Sequence, residues 1–498
     1  MNVNPITRLD YPDPDVIRVE DTYYMVSTTM HFMPGCEILQ SFDLVHWEHA
    51  TYVYETLDHT DAQQLKSGQN IYGQGMWAAS LRYHEGRFCI CFVANDTRKT
   101  YLYTSEKIDG PWKKQLIEGF YHDGSLLFDE DGRNYIVYGN DEIWITELNE
   151  DLTAPKKDGL HRLLVSDHKN PELGYEGSHI QKINGYYYIF LIHSLRDRWM
   201  RTEACFYSDS LEGEFTGGDV LCDDRGYCGQ GVAQGGIVDT PDGKWYAMLF
   251  QDSGAVGRIP ILVPVTWKDH FPVFGQNGHV PEEIEVHSTR PGYIYQPLVG
   301  SDDFCNGLLP RWQFNHDPDP RYYHLDALQG TYTITTREVC TELTQAVNTL
   351  TQRMSYPSCA AEVTVDASAL KEGDVAGLCA LQGCYAAVGI TKHHGKYEVL
   401  MLDKKEDGIL DMTERTVVES HQMDFRLEAD FCNMKDEARC YYRVNKGDWL
   451  PIGTVHKLYF KLDHFTGCRF GLFCYAAEET GGSACFRDFK YYDVDEIS

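Results

Sequence analysis

Apolar and polar residues alternate with a period of two over short runs, and amphipathic stretches at the helical period are few. The runs YYMVSTT from Tyr23, RFCICFVA from Arg87 and YYYIFLIH from Tyr186 are rich in aromatic and β-branched residues. Such side chains suit a pleated, half-buried surface. Together with abundant Gly between the runs, the pattern predicts an all-β protein.

Short turns recur, each closely followed by aromatics. Asp21-Thr22 precedes Tyr23-Tyr24, Glu85-Gly86 precedes Phe88, and Asp131-Gly132 precedes Tyr135. Asn184-Gly185 then precedes Tyr186-Tyr187-Tyr188, and Asp242-Gly243 precedes Trp245-Tyr246. These dipeptides between apolar runs signal hairpins. Copies start roughly 45 to 65 residues apart, a spacing that suits a four-stranded propeller blade. Five copies end near residue 285, which predicts a five-bladed β-propeller over residues 1–285.

Eight positions before each turn stand Asp13, Trp77, Asp123, Glu176 and Gln234. Each heads a predicted innermost strand. Innermost strands run side by side around a propeller axis, so equivalent positions form a ring at one mouth of the channel. Three carboxylates, a Trp and a Gln are thereby expected to converge from distant parts of the chain.

Beyond residue 300 the five-fold pattern stops. AAEVTVDAS from Ala360, YAAVGITK from Tyr385, YEVLMLD from Tyr397 and FRDFKYYDV from Phe486 alternate on both sides. They predict a β-sandwich of jelly-roll, concanavalin-like type over residues 301–498, of about 190 residues. Residues 286–300 form the predicted linker.

Composition narrows the function classes. Formal net charge is −31 with no block of Lys and Arg, which disfavours nucleic acid and anionic membranes as partners. No apolar run approaches the roughly 18 residues of a membrane span. The amino terminus, MNVNPITRLDYPDP, shows neither a basic start nor an apolar core, so no secretory leader is expected. Sixteen scattered cysteines lack C-x-x-C pairs, which argues against a zinc site. Free thiols in this number favour a reducing compartment, so a cytoplasmic protein is expected. A homo-oligomer is left open.

Converging carboxylates suit glycoside hydrolysis. One carboxylic acid protonates the leaving oxygen, and a second carboxylate acts from the opposite face of the sugar. In an inverting enzyme the pair stand about 6.5–9.5 Å apart, a separation that opposite sides of a propeller mouth offer. A third carboxylate nearby is expected to hold the acid's pKa high by like-charge repulsion. Trp77 offers the apolar wall that sugar rings prefer. Spacing leaves open which carboxylate has which role.

The chain resembles family 43 of the glycoside hydrolases over essentially its whole length, including the β-sandwich appended to many of its β-xylosidases and arabinofuranosidases. YPDPDV resembles the segment whose Asp is the general base, which implies that role for Asp13. HDGSLLFDEDGRNY resembles the segment of the pKa-modulating and substrate-orienting Asp, implying Asp123. YEGSHIQKINGYYY resembles the segment of the general acid, implying Glu176. GMWAAS implies Trp77 against the sugar, and VGRIPILV implies Arg258 beside the modulating Asp. STTMHFMPGCEILQSFDLVHW resembles the first-blade segment that walls the pocket, with Met30, His31 and Phe32 as candidates.

One position departs from the pattern. Many members carry a His in the fifth-blade strand, lining the channel near a water cluster or calcium ion; here AQGGIVDTPDGKWY puts Gln234 there. Gln is a poor ligand for a hard cation without carboxylate help. A channel calcium is therefore disfavoured, no catalytic metal is predicted, and no cofactor is required.

The expectation is an exo-acting, inverting hydrolase that releases a terminal α-L-arabinofuranosyl or β-D-xylosyl unit from hemicellulose-derived oligosaccharides. The sandwich is expected to shape the pocket rim rather than bind sugar separately. Rival readings are a non-catalytic sugar-binding propeller with a lectin-like sandwich, a retaining furanosidase, and an endo-acting arabinanase. His193 is a further candidate for either the site or the core. Trp47, Trp112, Trp267, Trp312 and Trp449 are expected to serve packing.

Overall fold

The computed structural model describes residues 3–461 and 465–493. Five four-stranded antiparallel meanders are arranged as blades around an axis, as the turn spacing predicts. The first blade comprises Asp15–Val19, Thr22–Ser27, Gly35–Ser41 and Glu48–Tyr54. The second comprises Met76–His84, Arg87–Ala94, Lys99–Ser105 and Lys113–Ile117. The third runs through Ser125–Phe128, Asn134–Asn140, Glu142–Leu148 and His161–Ser166. The fourth runs through Glu176–Ile183, Tyr186–Ser194, Arg201–Ser208 and Thr216–Leu221. In the fifth, the innermost position is split into Val232–Ala233 and Ile237–Asp239, followed by Trp245–Asp252, Arg258–Lys268 and Phe271–Phe274.

The alternating apolar residues face neighbouring blades. Val26, Ile38, Leu81 and Phe92 pack between blades one and two, and Val137, Ile145, Ile180 and Ile189 between three and four. The ring closes where Val16 and Tyr23 meet Met248 and Leu262. The amino-terminal segment fastens this seam: the Asn4 side-chain amide donates to the Leu262 carbonyl and accepts from its N–H, both at 2.8 Å.

The carboxyl-terminal half forms two packed antiparallel sheets, of eight and seven strands, over a core that includes Leu350, Val363, Leu378, Val388, Phe425 and Phe470. One edge of the eight-stranded sheet is not its own. Phe32–Met33, from the second hairpin loop of the first blade, pairs with Gln313–Asn315 of the sandwich. Around this joint Arg353 makes a 2.8 Å ion pair with Glu37, and the Arg469 guanidinium lies 3.5 Å from the centre of the Phe32 ring. Such interlocking fixes how the sandwich sits on the propeller. Between Phe274 and Gln313 the chain carries no strand; there Arg290 pairs with Asp21 and the Tyr295 hydroxyl accepts from the Phe42 N–H on the first blade.

Candidate active site

All five residues found by counting back from the turns line one cavity of about 230 Å³, as the ring argument expects. The backbone explains why they point inward. Asp13, Asp123 and Gln234 each adopt a left-handed conformation, with φ of 51°, 48° and 59°, immediately before or between short strand segments. Asp visits that region more readily than most residues because its short polar side chain bonds locally. Trp77 and Glu176 instead sit at register shifts within their strands, between Met76 and Ala79 and between Glu176 and His179. Gly177 follows with φ of 66°, and a Cβ there would lie 2.7 Å from the Gln234 side chain, so glycine is required for the strands to approach.

Two chains of charge face each other across the cavity. On one side Asp13 Oδ1 pairs with Arg258 Nη1 at 2.6 Å, while Oδ2 accepts from the Thr28 hydroxyl at 2.6 Å. Asp252 lies behind, shared between Arg258 Nε at 3.3 Å and Arg201 Nε at 2.7 Å. The sequence resemblance implied Arg258 beside Asp123, and the structure corrects this: its partner is Asp13. The fifth-blade strand that carries Arg258 is hydrogen-bonded to the segment leading to Asp13, through the Tyr11 N–H and the Arg258 carbonyl at 2.9 Å.

On the other side Glu176 Oε2 accepts from Asn140 Nδ2 at 2.8 Å, and Asp123 Oδ2 accepts from the Gly177 N–H at 3.0 Å. His122 Nε2 stands between them, 3.5 Å from Asp123 Oδ2 and 3.6 Å from Glu176 Oε2. Burial, with Glu176 close by, pushes the Asp123 carboxyl up to about 6 despite the opposing pull of His122. The two carboxylates raise His122 to about 9 against its own burial. Glu176 is lowered: burial pushes it upward, and the hydrogen bond and charge of His122, with Arg201 and Arg258, outweigh that. The expectation of a high pKa on Glu176 is therefore corrected for the free protein. Like-charge repulsion falls on Asp123, which burial, Glu176 and Asp13 raise against the pull of His122, while Glu176 is held down by the cation beside it.

His122, Asp123 and Glu176 bring one donor atom each within 4.8 Å of one another. The set does not fit a cation well, because Arg201 and Arg258 line the same cavity and Asn140 and Gly177 already donate to two of the oxygens. Deeper in the channel Arg82 fills the space next to Asp15, at 2.7 Å, and His179 Nδ1 lies 3.0 Å from the other Asp15 oxygen. A channel histidine is thus present, supplied by the fourth blade rather than the fifth. Gln234 is held by its backbone N–H donating to the buried Glu203 carboxyl at 2.7 Å.

Met30, His31 and Phe32 do not line the cavity, which corrects the expectation that they wall it. Met30 pairs backbone to backbone with Met76, His31 packs 4.9 Å from His316, and Phe32 belongs to the edge strand under Arg469. The loop that carries them is drawn into the interdomain joint. His193 pairs with Asp219 at 2.8 Å within the fourth blade and is likewise outside the cavity. In exchange, Asn140 and Arg201 line it from strand ends, Trp199 and Leu173 from loops, and Phe465 reaches in from the sandwich to meet Trp77 edge-on at 5.2 Å. His122, which also lines the cavity, was missed too; its place directly before Asp123 is the one sequence signal that could have found it.

Residues 3–272 match the model of the glycosyl hydrolases family 43, and residues 301–492 match that of the β-xylosidase C-terminal concanavalin A-like domain. A β-xylosidase of Formosa agariphila is 27% identical, with 99% of this chain and 89% of that protein aligned. A non-reducing end α-L-arabinofuranosidase of Bacteroides ovatus is 25% identical over 66% of this chain and 63% of its own. Among solved structures, a bifunctional GH43-CE protein of Bacteroides eggerthii superposes with a TM-score of 0.92 at 42% identity. That match covers 99% of this chain, which spans 63% of the length of the Bacteroides eggerthii protein.

Proposed function

The chain belongs to glycosyl hydrolases family 43 and is an exo-acting glycosidase, and from that premise we propose that it releases terminal α-L-arabinofuranosyl or β-D-xylosyl units from short oligosaccharides by inversion. The observation that carries this is the convergence of Asp13, Asp123 and Glu176 on one small cavity. At about 230 Å³ the cavity falls below the roughly 300–1,000 Å³ of pockets that enclose drug-sized ligands. It suits one terminal sugar ring, against which Trp77 and Phe465 offer apolar faces.

In this reading Asp13 is the general base. A carboxylate has about four acceptor positions, so the bonds from Arg258 and Thr28 leave room for a water. Those two bonds aim the carboxylate. Glu176 is the general acid. Its proton is supplied within the His122–Asp123–Glu176 cluster: sugar binding excludes water, and a proton passes from His122 to Glu176 as charge develops on the leaving oxygen. Asp123 keeps His122 cationic and is placed to accept a sugar hydroxyl through its second oxygen. Asp13 stands on the first blade and Glu176 on the fourth, which are not neighbours in the ring, so a water has space between base and sugar. The close Asp123–Glu176 pair, with carboxylate oxygens within 4.8 Å, invites comparison with a retaining enzyme, whose carboxyl groups stand about 5–5.5 Å apart. It favours that reading less, because both carboxylates lie on one side of the cavity and share His122. The sixteen cysteines, all unpaired, support action in a reducing compartment on imported oligosaccharides.

The test is product analysis by proton NMR on xylo- and arabino-oligosaccharides, with Glu176→Gln alongside wild type. A terminal pentose that appears first as the inverted anomer supports the reading, and retention overturns the proposed mechanism. On these unactivated substrates Glu176→Gln is expected to lose about 10²–10⁴-fold in kcat, the worth of general acid catalysis. On para-nitrophenyl glycosides, whose leaving group needs little protonation, the loss is expected to be much smaller.

A further inference from the structure

Next to the catalytic cavity the propeller and the sandwich meet at the carboxylate of Asp10, which is 2% exposed and stands three residues before Asp13. Asp10 Oδ1 accepts from the Arg258 N–H and Oδ2 from the Gly467 N–H, both at 2.7 Å. The first donor belongs to the fifth blade, the second to the sandwich loop that carries Phe465. Beside them the Cys468 N–H donates to the Ala255 carbonyl at 2.9 Å, and Arg353 Nε donates to the Asp10 carbonyl at 2.8 Å. Two glycines let the chains close over the carboxylate. A Cβ at Gly257 would lie 2.2 Å from Asp10 Oδ1 and 2.7 Å from the Gly467 Cα, and a Cβ at Gly467 would lie 2.0 Å from the Val256 carbonyl oxygen.

We propose that Asp10 is a positioning residue of the glycosidase: it clamps the Phe465 loop of the sandwich to the backbone of Arg258, so that an apolar face of the pocket and the arginine that aims Asp13 are placed as one unit. The inference rests on the assignment of Asp13 as base and extends it. Both ends of the clamp lead to cavity residues. Arg258 Nη1 pairs with Asp13 at 2.6 Å, and Phe465 meets Trp77 at 5.2 Å. The two also touch each other, the guanidinium lying 4.4 Å from the Phe465 ring centre. A shift of the Gly467 segment therefore moves a ring that lies against the guanidinium, and a shift of Arg258 moves the base.

A carboxylate is the group this joint requires. Two N–H donors from different domains need two acceptor oxygens side by side, and an amide or a hydroxyl offers only one. The carboxylate is costly to bury. Desolvation pushes Asp10 up to about 6, against the two N–H bonds and the charges of Arg353 and Arg469. Domain docking alone does not call for that cost, because the Phe32–Met33 edge strand and the Glu37–Arg353 pair already fasten the sandwich. What Asp10 adds is the placement of one loop against one arginine, and a reacting site depends on such support behind the groups that touch substrate.

The experiment measures kcat and KM for wild type, Asp10→Asn, Phe465→Ala and the double variant, below each protein's unfolding transition. Para-nitrophenyl pentosides serve as substrates, because their hydrolysis needs the base and little help from the acid. Asparagine keeps one acceptor and turns its amide toward the other N–H. Asp10→Asn is therefore expected to lose up to about 10²-fold in kcat, the worth of a misplacement near 1 Å, with KM changing less. Because Phe465 is one route of that effect, the double variant is expected to lose less than the product of the two single losses. Unchanged kcat in folded Asp10→Asn, or losses that multiply, would overturn the clamp and leave the glycosidase reading intact. Amide hydrogen exchange on wild type tests the clamp without any substitution: the amides of residues 465–468 are expected to exchange as slowly as those of 255–259, and fast exchange of the loop alone would overturn it. Wild-type kcat in Asp13→Asn would instead overturn the base assignment on which the clamp rests, and no turnover of any pentoside by wild type would overturn the functional reading itself.

Discussion

The propeller channel holds two buried carboxylate–histidine clusters, one above the other, and they behave in opposite ways. In the upper cluster Asp123 and Glu176 flank His122, with no arginine hydrogen-bonded to either carboxylate among the described residues. In the lower, Asp15 accepts from Arg82 at 2.7 Å, from the Leu81 N–H at 2.7 Å and faces His179 at 3.0 Å. Burial raises both Asp123 and Asp15. Arg82 and His179 overcome it and bring Asp15 below its usual range, whereas Asp123 rises to about 6. Between these two carboxylates, the guanidinium of Arg82 therefore separates one whose pKa is lowered from one whose pKa is raised. The lower cluster ties four innermost strands together, since Arg82 also donates to Ser125 Oγ and to the Ile180 carbonyl. The upper cluster retains mobile protons.

This contrast can be broken most sharply with Asp15→Asn. It leaves Arg82 and His179 buried without their counter-charge, and a loss of roughly 3–5 kcal/mol is expected. Because the native pKa is depressed, Asp15 contributes stability above its ordinary value of 3.8 that is lost as pH falls through the native pKa. Denaturant unfolding at pH 7 should show the deficit, and it should shrink at the most acidic pH at which the protein remains folded. A neutral result at pH 7 would refute the structural role.

Asp123→Asn is expected to act with the opposite pH sign. Asp123 has a raised native pKa, so the native state binds its proton more tightly than the unfolded chain does. Wild type therefore loses stability as pH rises from 3.8 through about 6. The asparagine variant lacks that loss, so over this window it should gain on wild type by about 1–3 kcal/mol, up to two units at 1.36 kcal/mol each. Parallel unfolding curves at pH 4 and pH 6.5 make the measurement. A constant difference would mean that Asp123 is not the group that holds the proton.

His122→Gln gives the smallest and most specific effect. If the cluster's last catalytic proton resides on His122, the alkaline limb of kcat/KM in wild type falls near pH 9. Without the imidazole, that proton must be shared by the two carboxylates, and the limb is expected to move down by about a unit or more. A pH–rate profile with an unmoved limb would remove His122 from the proton path.

Much of this site was legible before any coordinates. A turn dipeptide at a fixed offset from a strand head is a local property, and five repeats of it located Asp13, Trp77, Asp123, Glu176 and Gln234. Locality is also why Met30, His31 and Phe32 were misplaced. Their segment is assigned by its resemblance to a first-blade segment that walls the pocket, and its actual partner, Gln313–Asn315, lies nearly three hundred residues away and has no periodicity in common with it. Trp199 and Phe465 left no repeat signature because they come from loops, whose positions depend on what packs against them.

The sequence by itself determined the propeller, its five-fold register and the three carboxylates at one mouth, because strand alternation and turn chemistry act over a few residues. The tertiary structure decided which of those carboxylates has its pKa raised, which arginine faces which acid, and that Phe465 of the sandwich reaches the cavity. Those outcomes depend on charge–charge distances of a few ångströms and on desolvation, and both arise only when distant segments are packed together.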